Sequence, residues 1–182
     1  QSDEKIIYAT PWSILTIDKE DDTRELLSTV EGLTSIGIDK IEHDRFNDQL
    51  IIAYDNSLID IVSGADVIPI FGIEENNNFQ NKKINDIYIE SSDYCYFSTE
   101  FGIVQFDLQL YEFGFTTTTN FRVNAVAQFE NYLLAATIDG LYWFDLNSNQ
   151  IPNDFGNWEL FEDFNGLPVV YNAVDVKIIN DQ

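Results

Sequence analysis

The stretch Leu133-Leu134-Ala135-Ala136-Thr137-Ile138-Asp139-Gly140-Leu141-Tyr142-Trp143-Phe144-Asp145 decides the fold, because its pattern recurs along the chain. A β-rich run ends in small residues, a turn follows, and a second run ends at or near Asp. Earlier copies are Ile6-Ile7-Tyr8-Ala9-Thr10 with Ser13 to Asp18, Leu50-Ile51-Ile52-Ala53-Tyr54 with Ser57 to Ile61, and Tyr94 to Thr99 with Gly102 to Asp107. Aligned on Ala9, Ala53, Ser98 and Ala136, the copies are 44, 45 and 38 residues apart. A four-stranded propeller blade has a period of about 40–45 residues.

A second motif recurs in phase with the first: Ile38-Asp39-Lys40-Ile41, Ile84-Asn85-Asp86-Ile87, Val123-Asn124-Ala125-Val126 and Tyr171-Asn172-Ala173-Val174. In each, Asp or Asn directly follows the first member of an apolar pair. Two of these copies follow a Gly-Leu turn, Gly32-Leu33 and Gly166-Leu167. More polar runs at Arg24–Thr29, Asp66–Phe71, Leu110–Phe115 and Asn157–Phe161 supply a fourth strand per unit. Val, Ile, Tyr, Phe and Thr dominate the runs, and no 3.6-residue apolar period persists. The expectation is an all-β propeller fragment: about four antiparallel four-stranded blades, part of a larger ring of the seven-bladed type. It forms one partial domain over 1–182, with repeat units near 1–48, 49–92, 93–131 and 132–182. The chain opens on a second strand and is expected to close on an inner strand at Val170–Ile179. Its end blades should therefore be exposed, and the fragment should self-associate.

Composition limits the partners. The 182 residues carry 9 basic and 32 acidic side chains, a net charge of −23, which opposes a phosphate backbone. Nucleic acid is excluded on that ground, and electrostatic docking to anionic lipid is disfavoured. With 45% apolar and 14% aromatic residues the chain can bury a core. No apolar run reaches the roughly 18 residues of a membrane-spanning helix, so it does not read as an integral membrane protein. Cys95 is the single cysteine, so neither a disulfide nor a cysteine-built zinc cage forms within the chain. Methionine is absent and Gln1 is no initiator, so the chain reads as a mature product after signal removal, and hence exported, or as an excised piece.

Asn165-Gly166-Leu167-Pro168, Tyr171-Asn172-Ala173-Val174 and Ala136-Thr137-Ile138-Asp139-Gly140-Leu141-Tyr142-Trp143-Phe144-Asp145 together resemble the two-component-regulator propeller repeat. That repeat's Leu-Trp-Ile-Gly-Thr strand is degraded here to Leu133-Leu134-Ala135-Ala136-Thr137. The series beginning Tyr8-Ala9-Thr10-Pro11-Trp12-Ser13-Ile14-Leu15 and continuing through Glu31–Ile38, Ile51–Asp60 and Lys83–Tyr88 is similar to the propeller protein family of the Bacteroidetes type IX (Por) secretion system. The resemblance covers essentially the whole chain. It implies an exported protein of the outer-membrane surface, working in a complex that links cargo to lipopolysaccharide. Within that complex it would be a non-enzymatic component that binds protein partners and lipopolysaccharide. No functional residue carries over, because the matched positions build blades. The rival reading is a periplasmic ligand-sensing propeller of a hybrid two-component system, recognising an oligosaccharide.

Enzyme chemistry finds little footing. His43, the only histidine, lies in Glu42-His43-Asp44 and reads as a loop residue just after an inner strand, with no nucleophile elbow to serve. No glycine loop cradles phosphate, and no catalytic residue, cofactor or metal ligand is assigned. Asp18-Lys19-Glu20-Asp21-Asp22-Thr23 lacks the glycine and the final glutamate of an EF-hand loop and reads as a solvated turn. Of the strand aromatics Tyr94, Tyr96, Phe97, Tyr142, Trp143 and Phe144, the inward members should form core. Candidate partner or ligand contacts are Trp12, at a strand-to-strand turn beside Pro11, and the basic residues Lys82, Lys83 and Arg122. Trp12 is expected to pack as a cap over the blade edge unless it serves as a contact.

Overall fold

The computed structural model describes residues 5–161 and 172–179. The chain divides into two compact units, residues 1–78 and 79–182. In the first unit, β1 (Lys5–Ala9), β2 (Ser13–Asp18) and β3 (Arg24–Ser28) make a three-stranded sheet. β4 (Ile38–Asp44), β5 (Gln49–Tyr54), β6 (Ile59–Ser63) and β7 (Asp66–Ile70) make a four-stranded one. The second unit has two four-stranded sheets. One is β8 (Ile84–Ile89), β9 (Tyr94–Thr99), β10 (Gly102–Asp107) and β11 (Glu112–Thr118); the other is β12 (Val123–Phe129), β13 (Tyr132–Thr137), β14 (Gly140–Asp145) and β15 (Glu159–Leu160). Every pairing is antiparallel between sequence neighbours, so each sheet is a meander.

Central strands are apolar on both faces, as strands buried on both sides are. Ile51, Ile52, Ala53 and Tyr54 on β5 and Cys95 to Ser98 on β9 are all buried. In the first unit Ile14 and Leu33 pack against Ile52, Tyr54 and Leu58. In the second, Tyr96 and Ile103 of one sheet meet Val123, Val126, Leu133 and Phe144 of the next.

The recurring Asp or Asn has a structural cause. The pairing of each four-stranded sheet shifts register between Ile38 and Lys40, between Ile84 and Asp86, and between Val123 and Ala125. Asp39, Asn85 and Asn124 are therefore bulge residues, set out of the ladder so that the strand bends there. The small residue of the second strand lies opposite the bulge: Ala53 pairs with Lys40, Ser98 with Asp86 and Ala136 with Ala125. Around Ala136 the crowding extends to a further segment, since Ala125, Ala136 and Ala173 pack together.

The first sheet has three strands among the described residues, as expected of a chain that opens on a second strand. Several other expectations need correction. The polar strand expected at Leu110–Phe115 runs from Glu112 to Thr118, because Asp107 caps the turn by accepting the N–H groups of Gln109 and Leu110. The one expected at Asn157–Phe161 shrinks to Glu159–Leu160, because a 3-10 turn capped by Asp154 occupies Phe155–Asn157. Residues 172–179, expected as inner strand, carry no strand pairing, while Asn165-Gly166-Leu167-Pro168, Val170 and Tyr171 lie outside the described residues. His43 belongs to β4 rather than to a loop, and its Nε2 lies 3.2 Å from Asp48 Oδ1. Its sequence neighbour Asp44 is fully buried and accepts from Phe46 N–H and from the Asn47 and Gln49 side chains.

Candidate functional site

Three hairpin turns, β1–β2, β9–β10 and β13–β14, are built alike around a Thr. Thr10 Oγ1 accepts from the N–H groups of Trp12 and Ser13 and donates to Ser13 O. Thr99 Oγ1 accepts from Phe101 N–H and donates to Gly102 O at 2.9 Å. Thr137 Oγ1 accepts from Asp139 N–H and donates to Gly140 O at 2.9 Å. Trp12, Phe101 and Asp139 thus occupy one position in three copies of a turn. Gly102 is required in its copy, since at φ 142° an added Cβ would lie 1.9 Å from Thr117 O.

Turns at this end are tied to the lead-in of an inner strand, of their own sheet or of the next. In the first unit Pro11 O accepts from Gly37 N–H at 2.6 Å and Ile38 N–H at 3.1 Å, and Asp55 N–H donates to Gly37 O at 2.8 Å. In the second unit Glu100 N–H donates to Lys83 O at 3.1 Å, and Asn172 N–H donates to Ile138 O at 2.8 Å. The bulge residues reach across to the neighbouring element: Asn85 Nδ2 donates to Val123 O at 2.9 Å, and Asn124 Nδ2 to Ala173 O at 2.6 Å. Arg122 Nε donates to Asn124 Oδ1, which fixes the amide orientation, and lies 3.9 Å from Glu100 Oε1.

The candidate contacts fall at this end of their sheets. Trp12 sits in the β1–β2 turn with 66% of its surface exposed, so it is not the packed cap expected for a residue beside Pro11. Ile36, which precedes the Gly37 bound to Pro11, is exposed too. Lys82 and Lys83 lead into β8, and Arg122 into β12. Glu100 brings Lys83 and Arg122 together through its backbone and its carboxylate, while Trp12 belongs to the other unit.

Other acidic groups serve the fold. Asp18 Oδ1 accepts from Glu20 N–H and Asp21 Oδ1 from Thr23 N–H, so the β2–β3 acids cap their own turn, and hydrogen bonding to the Thr23 side chain first and its N–H second holds the Asp21 carboxyl below its ordinary range. Missed in the sequence was a fully buried pair: Tyr54 OH donates to Asp60 Oδ2 at 2.6 Å, and Thr34 N–H donates to the same oxygen at 2.8 Å. Burial first, then the hydrogen bond and charge of Asp60, push the Tyr54 phenol far above its ordinary range. Among the strand aromatics, Tyr96, Phe97 and Phe144 are core, Tyr142 and Trp143 are half-buried, and Tyr94 is exposed.

Sequential antiparallel meanders of four strands, stapled sheet to sheet, define the blades of a β-propeller. The family model described as the type IX secretion system PorZ N-terminal β-propeller domain matches residues 7–159, and the chain belongs to that family. Among solved structures it is similar to PorZ of Porphyromonas gingivalis, a bacterial surface component of the type IX secretion system, at 20% identity and TM-score 0.77, over 87% of this chain and 21% of that one. The extracellular domain of the hybrid two-component system BT3049 of B. thetaiotaomicron is similar at 17% identity and TM-score 0.65, over 94% of this chain and 22% of that one. Sqt1 of Saccharomyces cerevisiae is similar at 14% identity and TM-score 0.68, over 82% and 45% respectively. These likenesses establish the fold. The chain spans about a fifth of the length of the PorZ structure that it matches. No curated protein matches the chain by sequence.

Proposed function

We propose that this chain is the blade-bearing part of a non-enzymatic interaction platform in the type IX secretion machinery, working at the outer-membrane surface or in the periplasm of a Gram-negative bacterium. The observation that carries this reading is the family match over residues 7–159. The chemistry-bearing side chains support a platform: His43, Asp44 and Asp60 are all engaged with neighbouring groups of the fold. No helix among the described residues is long and apolar enough to cross a membrane.

Protein partners, and lipopolysaccharide as a second ligand, would meet the loops that carry Trp12, Lys82, Lys83 and Arg122. With a net charge of −23, any contact with an anionic sugar must use the few basic residues, such as Lys82, Lys83 and Arg122, or polar and aromatic groups. The test is deletion of the gene in its own host. Retention of secreted cargo in the periplasm and its loss from the cell surface are expected. Normal cargo delivery, with loss of an oligosaccharide-induced transcriptional response, would instead establish a sensor and overturn the reading.

A further inference from the structure

The two sheets of the first unit pack around Ile14, Leu33, Ile52, Tyr54 and Leu58, and beside this core they line a cleft of about 510 Å³. Each sheet contributes one cross-strand row to its walls. Ile7, Thr16 and Glu25 are mutually paired across β1, β2 and β3. His43, Leu50, Val62 and Val67 are paired across β4, β5, β6 and β7. The middle of the cleft is aliphatic, with Ile14, Leu27, Leu50 and Val62.

Its two ends differ in charge. At the β1 and β4 side stand Lys5 and His43, the latter paired with Asp48. At the β3 side stand Glu25 and, from the loop after β3, Glu31. Glu31 Oε2 accepts from both the N–H and the hydroxyl of Ser28, which fixes the side chain and holds its carboxyl below the ordinary range. The Glu25 side chain has no hydrogen bond or ion pair among the described residues, so its charge is uncommitted.

We propose that this cleft seats a lysine- or arginine-centred peptide segment of a protein partner, with the aliphatic stem along Ile14, Leu27, Leu50 and Val62 and the cationic head at Glu25 and Glu31. A long basic side chain is itself an apolar stem with a charged tip, and the cleft offers the matching sequence of surfaces. An acidic chain of −23 favours a basic partner in the same sense. The cleft is larger than one side chain, so the flanking residues of the segment enter with it. This inference does not depend on the secretion reading and survives its failure.

The test is an NMR titration of the 182-residue chain with the acetylated, amidated pentapeptide Gly-Leu-Lys-Leu-Gly and its counterparts with norleucine or glutamate at the centre. The lysine peptide should shift the amides of Glu25, Leu27, Leu50 and Val62 saturably, and the glutamate peptide should not. Glu25→Gln removes a charge that supports no other contact, and should weaken the lysine peptide about threefold with an unchanged melting temperature; Glu25→Gln with Glu31→Gln should weaken it further. Norleucine binding as well as lysine would overturn the cationic assignment, and glutamate binding best would assign the cleft to Lys5 instead. Absence of saturable shifts with all three peptides would remove the site altogether.

Discussion

Replacing Tyr54 by Phe isolates one oxygen atom in the core of the first unit. Tyr54 and Asp60 are 1% and 0% exposed, so the ring stays in place and no sizeable cavity opens. What is lost is a 2.6 Å hydrogen bond to a buried carboxylate whose other oxygen, Oδ1, has no partner among the described residues. Thr34 N–H is then a remaining donor to it, at 2.8 Å. A hydrogen bond to a charged group contributes about 1.5–3 kcal/mol, and a carboxylate left short of donors pushes the cost toward the upper figure. Tyr54→Phe should therefore lower stability by about 3 kcal/mol in urea titration, read by hydrogen exchange at the Thr34 amide so that the first unit is reported. Asp60→Asn in the same background removes the charge, and should make the Tyr54→Phe step cost about 1 kcal/mol instead.

The same substitution has a pH signature. Folding raises the Tyr54 phenol above its unfolded value, so above about pH 10 the native state keeps a proton that the unfolded chain has lost. Stability therefore falls as pH rises there, by up to about 1.4 kcal/mol per pH unit per phenol. Tyr96, pushed up to about 12 chiefly by burial, adds its own loss between about pH 10 and pH 12. Tyr54→Phe should remove the first unit's alkaline slope and leave the second unit's in place. A cost below about 0.5 kcal/mol, or an unchanged alkaline slope, would refute the buried pair as an energetic unit.

Other outcomes follow from single positions. Gly102→Ala forces a Cβ to 1.9 Å from Thr117 O at φ 142° and should cost about 3 kcal/mol or more, whereas Gly64→Ala, at φ 58° with nothing within 4 Å, should cost about 1 kcal/mol in the same melts. Asn124→Ala deletes the donor to Ala173 O and should speed exchange of the Asn172 amide about tenfold, while Asn85→Ala leaves that amide unchanged. Trp12→Ala, at a 66% exposed position, should change stability by under about 0.5 kcal/mol yet reduce co-purification of protein partners. Cys95 is fully buried, so a thiol reagent should modify it only on unfolding.

The repeat was legible because strand period and turn chemistry are local. Thr10, Thr99 and Thr137 each close a turn with atoms no more than three residues away, and Ser98 and Ala136, which precede two of them, lie opposite a bulge. The recurring Asp or Asn was visible as a pattern but not as a bulge, since what it does depends on a carbonyl 38 or 49 residues later. Tyr54 and Asp60 gave no signal for the same reason: Asp60 sits in an ordinary strand run, and its partners come from β5 and from the loop at Thr34. His43 was placed in a loop because charged neighbours mimic a turn, yet β4 continues to Asp44, which the Asn47 and Gln49 side chains satisfy. Trp12 was expected to pack beside Pro11, but the Pro11 carbonyl is turned to Gly37 and Ile38, and the indole is left outside.

The bulges also bear on which end of the sheets presents partners. A bulge at the start of an inner strand turns one polar side chain out of the ladder and onto the neighbouring element, so that end is cross-linked by side chains as well as packed. In the second unit the side-chain links are Asn85 to Val123 and Asn124 to Ala173, joined by the backbone bond of Asn172 to Ile138; in the first the link is the backbone bond of Gly37 to Pro11. Loops fixed at several points lose little entropy on binding, which is the condition under which exposed side chains such as Trp12 and Arg122 contribute affinity. At the opposite end of the first unit the sheets line the cleft, where an incoming segment supplies the packing that the two walls do not give each other. The stapled end thus favours a preformed contact surface, and the open end favours an inserted peptide. Trp12→Ala and Glu25→Gln should therefore affect different partners, and loss of the same partner in both variants would contradict a two-ended platform.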